Sequence, residues 1–159
     1  MSVSRTKLSD RDDAAKLAAI IVEWSKPWLE AGSLLHLDTP VEGDAQPKWL
    51  LRFRGEEREF IALWLTLRQR TLHIETELMP APEENHATFY EHLLRRNERL
   101  VGAHFSIGVE DAVFLRGEVP VGPLCQEDID RVLGSLYAYV EQCFRPALSI
   151  GFASRFTQK

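Results

Sequence analysis

The chain has 159 residues, of which 45% are hydrophobic and 27% charged, a composition typical of a globular protein rather than a disordered one. Its formal net charge is -5 and no basic stripe falls on one predicted face, so we expect no nucleic-acid partner. No apolar run approaches the roughly 20 residues needed to cross a bilayer, and the N-terminus lacks the apolar stretch of a signal peptide. We therefore expect a cytoplasmic protein with no membrane partner.

A helix is predicted first, because apolar residues recur at steps of three and four on one stripe. Ser9 or Asp10 can cap its start, and Gly32 can end it. The apolar run 34–37 could form a strand, and the acidic, proline-containing segment 38–47 is predicted to be an exposed loop. The stripe consists of Ala14, Leu17, Ile21, Trp24 and Trp28.

Three strands are predicted next, from alternating residues over 48–54, 59–67 and 71–78. The turns between them are short, so the strands should pair as an antiparallel meander with the middle strand in the centre. The middle strand is unusual because both of its sides are largely apolar. One side carries Ile61, Leu63, Leu65 and Leu67, and the other carries Phe60, Ala62, Trp64 and Thr66.

The second half of the chain is predicted to form a helix, a hairpin and a long helix. The first helix covers 89–101 and is ended by Gly102. Alternating residues predict the hairpin over 103–119. The last helix covers 126–145, and Pro146 is expected to end or kink it.

Strands outnumber helices and run in hairpins, so the predicted fold is α+β, with a mostly antiparallel five-stranded sheet, three helices and the order α-β-β-β-α-β-β-α. One domain is expected over residues 1–159, with a core over roughly 10–150 and loose ends at 1–8 and 151–159. Cys125 and Cys143 lie at opposite ends of one helix and lack the spacing of a zinc site. We therefore expect reduced thiols, with no metal and no other cofactor.

Four stretches together resemble the bacterial YbjN-like family of sensory transduction regulators, and the similarity covers roughly residues 12–152. They are LLRRN at 93–97, GAHFSI at 102–107, VFLRGEVP at 113–120 and WLLRF at 49–53. That family shares its fold with the small chaperones of type III secretion, the CesT-like group. The resemblance implies an α+β fold, a homodimer and a role in binding peptide segments or in regulation, and it supplies no catalytic residues.

The second apolar side of the middle strand is the strongest functional clue, because a sheet that is apolar on both sides needs cover on both. Two explanations stay open. Either helices of the same chain cover both sides, or an exposed apolar patch binds a second subunit or a client segment. In the second case the candidate partner-binding residues are Leu50, Phe60, Ala62, Trp64 and Phe114, with Arg52, Arg54 and Arg116 at the rim.

Catalytic constellations are only weakly indicated. His73 and Glu75 share one side of a strand, but alternate residues there lie roughly 6.5–7 Å apart and do not converge unaided. His104 and Ser106 are also alternate residues, and nothing supplies the third group and oxyanion site that a Ser–His pair needs. Asn97 falls beside an apolar helical stripe, so we expect its amide to hydrogen-bond backbone groups at the helix end or in the following turn.

The first hypothesis is therefore a non-enzymatic protein- or peptide-binding module, chaperone-like or regulatory, that acts as a dimer and takes its client on a sheet edge or an open face. The alternative is a small enzyme or ligand-binding domain with a pocket near His104 and Ser106 or near His73 and Glu75. A pocket that gathers two or more of these groups within hydrogen-bond reach would favour the alternative.

Overall fold

The structure, a computed structural model, describes residues 3–41, 45–122 and 124–157, with side chains over 13–41, 45–122 and 124–156. Its helices are α1 (Val3–Glu30), α2 (His86–Asn97), α3 (Gln126–Gly151) and α4 (Ala153–Thr157). Its strands are β1 (Leu34–Asp38), β2 (Lys48–Arg54), β3 (Phe60–Leu67), β4 (Thr71–Met79), β5 (His104–Ile107) and β6 (Val113–Pro120). The predicted α+β class is confirmed.

One antiparallel sheet holds the six strands of the described chain, in the order β1-β2-β3-β4-β6-β5. Short turns join β2 to β3 and β3 to β4, so these strands pair with their chain neighbours. The chain then leaves the sheet through α2 and returns as the β5–β6 hairpin, whose second strand pairs with β4. The edges of the sheet are therefore β1 and β5.

The sheet has one strand more than predicted, because the run beginning at Leu34 pairs with β2 and forms β1. Leu34 is 1% exposed, so an inward-pointing side chain anchors this strand to the core. The helix count also differs, since α4 follows α3 within the segment 151–159 that was expected to be a loose end.

In the four central strands, β2, β3, β4 and β6, nearly every second residue is buried, and these buried residues lie on the same side of the sheet. In β3, for example, Ile61, Leu63 and Leu65 are each 0% exposed. They form one core with residues from the three long helices, namely Leu17, Ile21, Trp24, Phe89, Leu93, Ile129, Leu133, Leu136 and Val140. Within the described residues, all three long helices therefore cover one face of the sheet, and no helix covers the other.

The start of α1 lies earlier than the cap predicted at Ser9 or Asp10. The helix begins at Val3, so both residues are inside it, and their side chains lie outside the described ones. Helix α1 also includes residues 3–8, which were expected to belong to a loose N-terminal arm. Gly32 follows the helix with a φ of +77°, a left-handed conformation that glycine favours and that ends helices, as predicted.

The end of α3 lies later than predicted, because the helix continues through Pro146. The proline leaves the carbonyl of Gln142 without its helical partner, but Gln142 is on the exposed side, where water can bond it. Beyond the proline, Ala147 is 0% exposed and Phe152 is 8% exposed. Packing of these residues into the core outweighs the local cost of the proline.

Candidate protein-interaction surface

The uncovered side of the sheet, here called the open face, carries the outward residues of the strands. One row crosses it from β2 to β5 in register: Leu50 pairs with Trp64, Trp64 with Glu75, Glu75 with Arg116, and Arg116 with His104. Side chains directly opposite each other on neighbouring strands have Cβ atoms about 4.5–5.5 Å apart. The register therefore decides which of the predicted residues are neighbours.

Four of the predicted residues form a contiguous apolar patch on β2 and β3, here called the Trp64 patch: Leu50, Phe60, Ala62 and Trp64. Phe60 is 48% exposed and Trp64 is 45% exposed, although both lie within the sheet rather than at its edges. Leu50 and Ala62 are half-buried beside them. The patch exists because β3 is apolar on both sides while the helices cover only one.

Three cations border this patch along β2. Arg52 lies opposite Ala62, Arg54 opposite Phe60, and Lys48 opposite Thr66. All three side chains are exposed, and within the described chain none of them forms an ion pair. Lys48 was not among the predicted rim residues, although the alternation that places Arg52 on this side of the strand also places Lys48 there.

A polar network occupies the other half of the open face. Arg116 donates from Nε and Nη2 to Glu75 Oε1 at 3.0 and 2.9 Å, and from Nη1 to Ser106 Oγ at 3.2 Å. The guanidinium also lies over the ring of Phe114, at 4.6 Å from its centroid. The charge of Arg116 is thus engaged inside the chain rather than free to meet a partner.

Phe114 and Arg116 do not border the Trp64 patch, because β4 lies between β3 and β6. Phe114 is opposite Glu77 of β4, and Arg116 is opposite Glu75. The structure therefore brings together Leu50, Phe60, Ala62, Trp64 and Arg52 and places the other two predicted residues beyond a strand with outward carboxylates.

The groups of the alternative site lie partly together. His73 Nε2 is 3.5 Å from Glu75 Oε2, and His73 Nδ1 is 3.5 Å from Glu118 Oε1. Ser106 contacts Arg116 rather than a base, and His104 is exposed, with no hydrogen bond or ion pair in the described structure. The cluster of His73, Glu75 and Glu118 lies on the open face, and its Glu75 carboxylate is already paired with Arg116.

Arg58 closes the end of β3 next to Phe60. Its guanidinium donates to the Glu77 carbonyl and lies 5.7 Å from the centroid of the Phe144 ring. Burial lowers the pKa of Arg58 from its ordinary value, and the nearby Glu77 acts in the opposite direction. Arg58 thus joins β3, β4 and α3 and keeps this end of the patch in place.

The described residues contain neither a metal-binding cluster nor a membrane-spanning helix. No cluster of three or more His, Cys, Asp or Glu side chains there is arranged to hold a metal ion. No helix in the same part of the chain combines the length and apolar character of a membrane-crossing segment.

Comparison with known proteins shows matches over most of the chain. The YbjN family, described as "Putative bacterial sensory transduction regulator", matches residues 29–148. An uncharacterized protein of Mycobacterium tuberculosis is 29% identical over 126 residues, which are 79% of this chain and 69% of the relative. An uncharacterized protein of Mycobacterium leprae is also 29% identical over 126 residues, 79% of this chain and 68% of that protein.

Proposed function

The chain belongs to the YbjN family, whose description is that of a bacterial regulator, and on that premise we propose that it acts without catalysis, by binding a segment of a partner protein on its open face. The observation that carries the proposal is the Trp64 patch. Two half-exposed aromatic side chains lie on a strand in the middle of a sheet whose other face is covered by helices. Interior sheet faces of this kind are commonly covered, by the same chain or by a partner.

The size of the aromatic contribution supports a binding role. Covering the exposed halves of Phe60 and Trp64 would remove about 200 Å² of apolar surface from water, which corresponds to about 5 kcal/mol before the costs of association are subtracted. Each exposed cation at the border contributes about 0–1 kcal/mol. The patch therefore supplies most of the affinity, while the cations orient the partner and speed its association.

The charge of the border predicts the chemistry of the partner segment. Lys48, Arg52 and Arg54 have no ion-pair partner among the described residues. Of the carboxylates across the sheet, Glu75 is paired with Arg116, Glu118 is paired with Arg68, and Glu77 lies near the charge of Arg58. We infer that the segment carries large apolar side chains next to acidic residues. A chaperone-like role, dimer formation and a cytoplasmic location, all expected from the sequence, belong to the same proposal.

The experiment replaces Trp64 by Glu and measures capture of partner proteins from an extract of the native host. Trp64→Glu places a charge in the patch without touching the core, so we expect a folded protein with partner capture reduced at least about tenfold. Val101→Glu is the matched control, because Val101 is 79% exposed and lies outside the sheet. The proposal would be contradicted if Trp64→Glu and the unchanged protein captured partners equally well and had equal thermal stability.

A ligand-binding or catalytic role is the second candidate, favoured by one observation: His73, Glu75, Ser106 and Arg116 lie close together. Two features weigh against it. The Glu75 carboxylate is neutralised by Arg116, and the Ser106 hydroxyl contacts a cation instead of a base that could take its proton. We therefore place protein binding first.

A further inference from the structure

A groove on the helix-covered side of the sheet, opposite the Trp64 patch, encloses a cavity of about 320 Å³. It lies where α1, α3 and the end of β2 meet, and is here called the aromatic groove. Its volume is at the lower end of the roughly 300–1,000 Å³ typical of small-molecule sites. The residues that define it here are Trp24, Trp28, Phe53, Asp130, Gly134 and Tyr137.

Four aromatic rings follow one another along this groove. The ring centroids of Trp28 and Trp24 are 5.9 Å apart, those of Trp24 and Phe53 6.2 Å, and those of Phe53 and Tyr137 6.0 Å. Trp24 is 4% exposed and Phe53 is 6% exposed, whereas Trp28 is 39% exposed. The faces of such rings carry partial negative charge and attract cations, indole most strongly.

A carboxylate stands beside the rings. Asp130 Oδ1 accepts a hydrogen bond from Trp24 Nε1 at 2.9 Å, which holds the carboxylate next to the indole. Asp130 forms no ion pair with any described residue. Its negative charge is therefore available to a ligand that enters the groove.

Arg54 also lines the groove, but it forms no ion pair with Asp130. Side chains alternate along a strand, so Arg54 points to the open face while its neighbour Phe53 points to the groove. At the groove the Arg54 carbonyl oxygen accepts a hydrogen bond from the Tyr137 hydroxyl at 3.0 Å. The guanidinium belongs to the border of the Trp64 patch.

Two carboxylates also act on the Tyr137 end of the groove. Burial raises the pKa of Tyr137, and the charges of Glu141 and Glu56 raise it further. Across the groove, Gly134 leaves an opening in α3, because a Cβ atom built there meets no heavy atom within 4 Å. The groove thus combines the accessible rings of Trp28 and Tyr137, which are backed by the buried Trp24 and Phe53, with a carboxylate and open access.

We propose that the aromatic groove binds a small organic cation, an alkylated ammonium group whose methyl or methylene groups contact the rings while Asp130 balances its charge. The inference goes beyond the partner-binding role proposed for the open face and does not depend on it, since the two surfaces lie on opposite sides of the sheet. A free amine and a lysine side chain share this chemistry.

The test compares choline with its neutral isostere 3,3-dimethylbutan-1-ol by titration calorimetry on the full chain at constant ionic strength. We expect choline to bind at least about tenfold more tightly than the isostere, because only the cation gains from the rings and from Asp130. Nα-acetyl-lysine methylamide, titrated in the same way, distinguishes the two sources. Binding tighter than that of choline assigns the site to a lysine side chain, and binding no tighter than that of choline assigns it to a free organic cation.

Two variants locate the binding. Asp130→Asn keeps an acceptor for the Trp24 indole but removes the charge, and should weaken choline binding at least about fivefold. Gly134→Leu fills the opening and should abolish binding, while the helix is retained because leucine is a better helix former than glycine. Glu127→Gln is the control, an equal change of charge on the same helix outside the groove.

Three outcomes would overturn the proposal. They are no measurable binding of choline at about 20 mM, equal binding of the neutral isostere, and binding that neither Asp130→Asn nor Gly134→Leu changes although both variants show the thermal melt of a folded protein.

Discussion

Asn97 joins the end of α2 to the outer edge of β5 through one side chain. Its Oδ1 accepts the Phe105 N–H at 2.7 Å, and its Nδ2 donates to the Phe105 carbonyl at 3.5 Å. These two backbone groups point away from β6, so they would otherwise face outward as an unpaired strand edge. The amide bonds backbone groups, as predicted, but these groups lie in β5 rather than at the helix end or in the following turn.

Two substitutions of Asn97 distinguish the contributions of its two hydrogen bonds to stability. Asn97→Ala leaves both Phe105 groups without a partner and should lower the free energy of unfolding by about 1–3 kcal/mol, measured by urea denaturation. Asn97→Asp keeps the acceptor for the shorter bond, so it should lose less. If aspartate proves as damaging as alanine, the bond to the Phe105 N–H is not what stabilises this edge.

For single residues, the alternation of side chains along the strands was sufficient to predict the Trp64 patch, but it did not predict which residues lie next to the patch. Leu50, Phe60, Ala62 and Trp64 lie on two strands joined by a short turn, so their proximity follows from local pairing. Phe114 lies on β6, whose partner is set by the route of the chain through α2. Nothing in the spacing of residues 113–119 distinguishes pairing with β4 from pairing with β2, the other outer strand of the predicted meander.

At the scale of elements, strands were predicted more accurately than helix ends. The bounds of β2 are as predicted, because a period of two is interrupted sharply by the turn at Gly55. Helix ends depend on packing: α3 passes Pro146 because the residues after it are buried, and α2 ends at Asn97, whose side chain is bonded to β5. A preference of about 1–3 kcal/mol per residue is readily overridden by such contacts.

Two lowered carboxyl pKa values predict which elements loosen first in acid. Hydrogen bonds from the Ser154 N–H and hydroxyl lower the pKa of Glu84 from its ordinary 4.5, and hydrogen bonds from Cys125 lower that of Asp128 from 3.8. Because the folded values are depressed, the stabilisation is complete above the ordinary values and is lost as the pH falls through the folded ones. We expect α4 and the start of α3 to lose protection before the sheet.

Hydrogen-exchange protection factors at about pH 7 and about pH 3 measure this loss. Glu84→Gln removes the titrating group, so α4 should be weakly protected at both values while the start of α3 still responds to acid. An α4 that is equally protected at both values in the unchanged protein would contradict the prediction.

At the scale of the whole molecule, the number of helices did not determine how they are distributed. Three long helices were enough to cover both faces of the sheet, and the strand patterns were compatible with either arrangement. The structure places all three on one side, where they form a continuous core with the buried strand residues. The open face is thus a consequence of chain routing, and it could not be deduced from the residues that line it.

The most direct test of the central claim is site-specific photo-crosslinking in the native host, with a benzophenone amino acid in place of Trp64 or, as the control, Leu94, which is 68% exposed on α2. We predict a covalent adduct with a distinct partner protein from position 64, none with that partner from position 94, and a lower yield from position 64 when Arg52→Glu reverses a bordering charge. An adduct formed only with a second copy of this chain, or formed equally from both positions, would contradict the account.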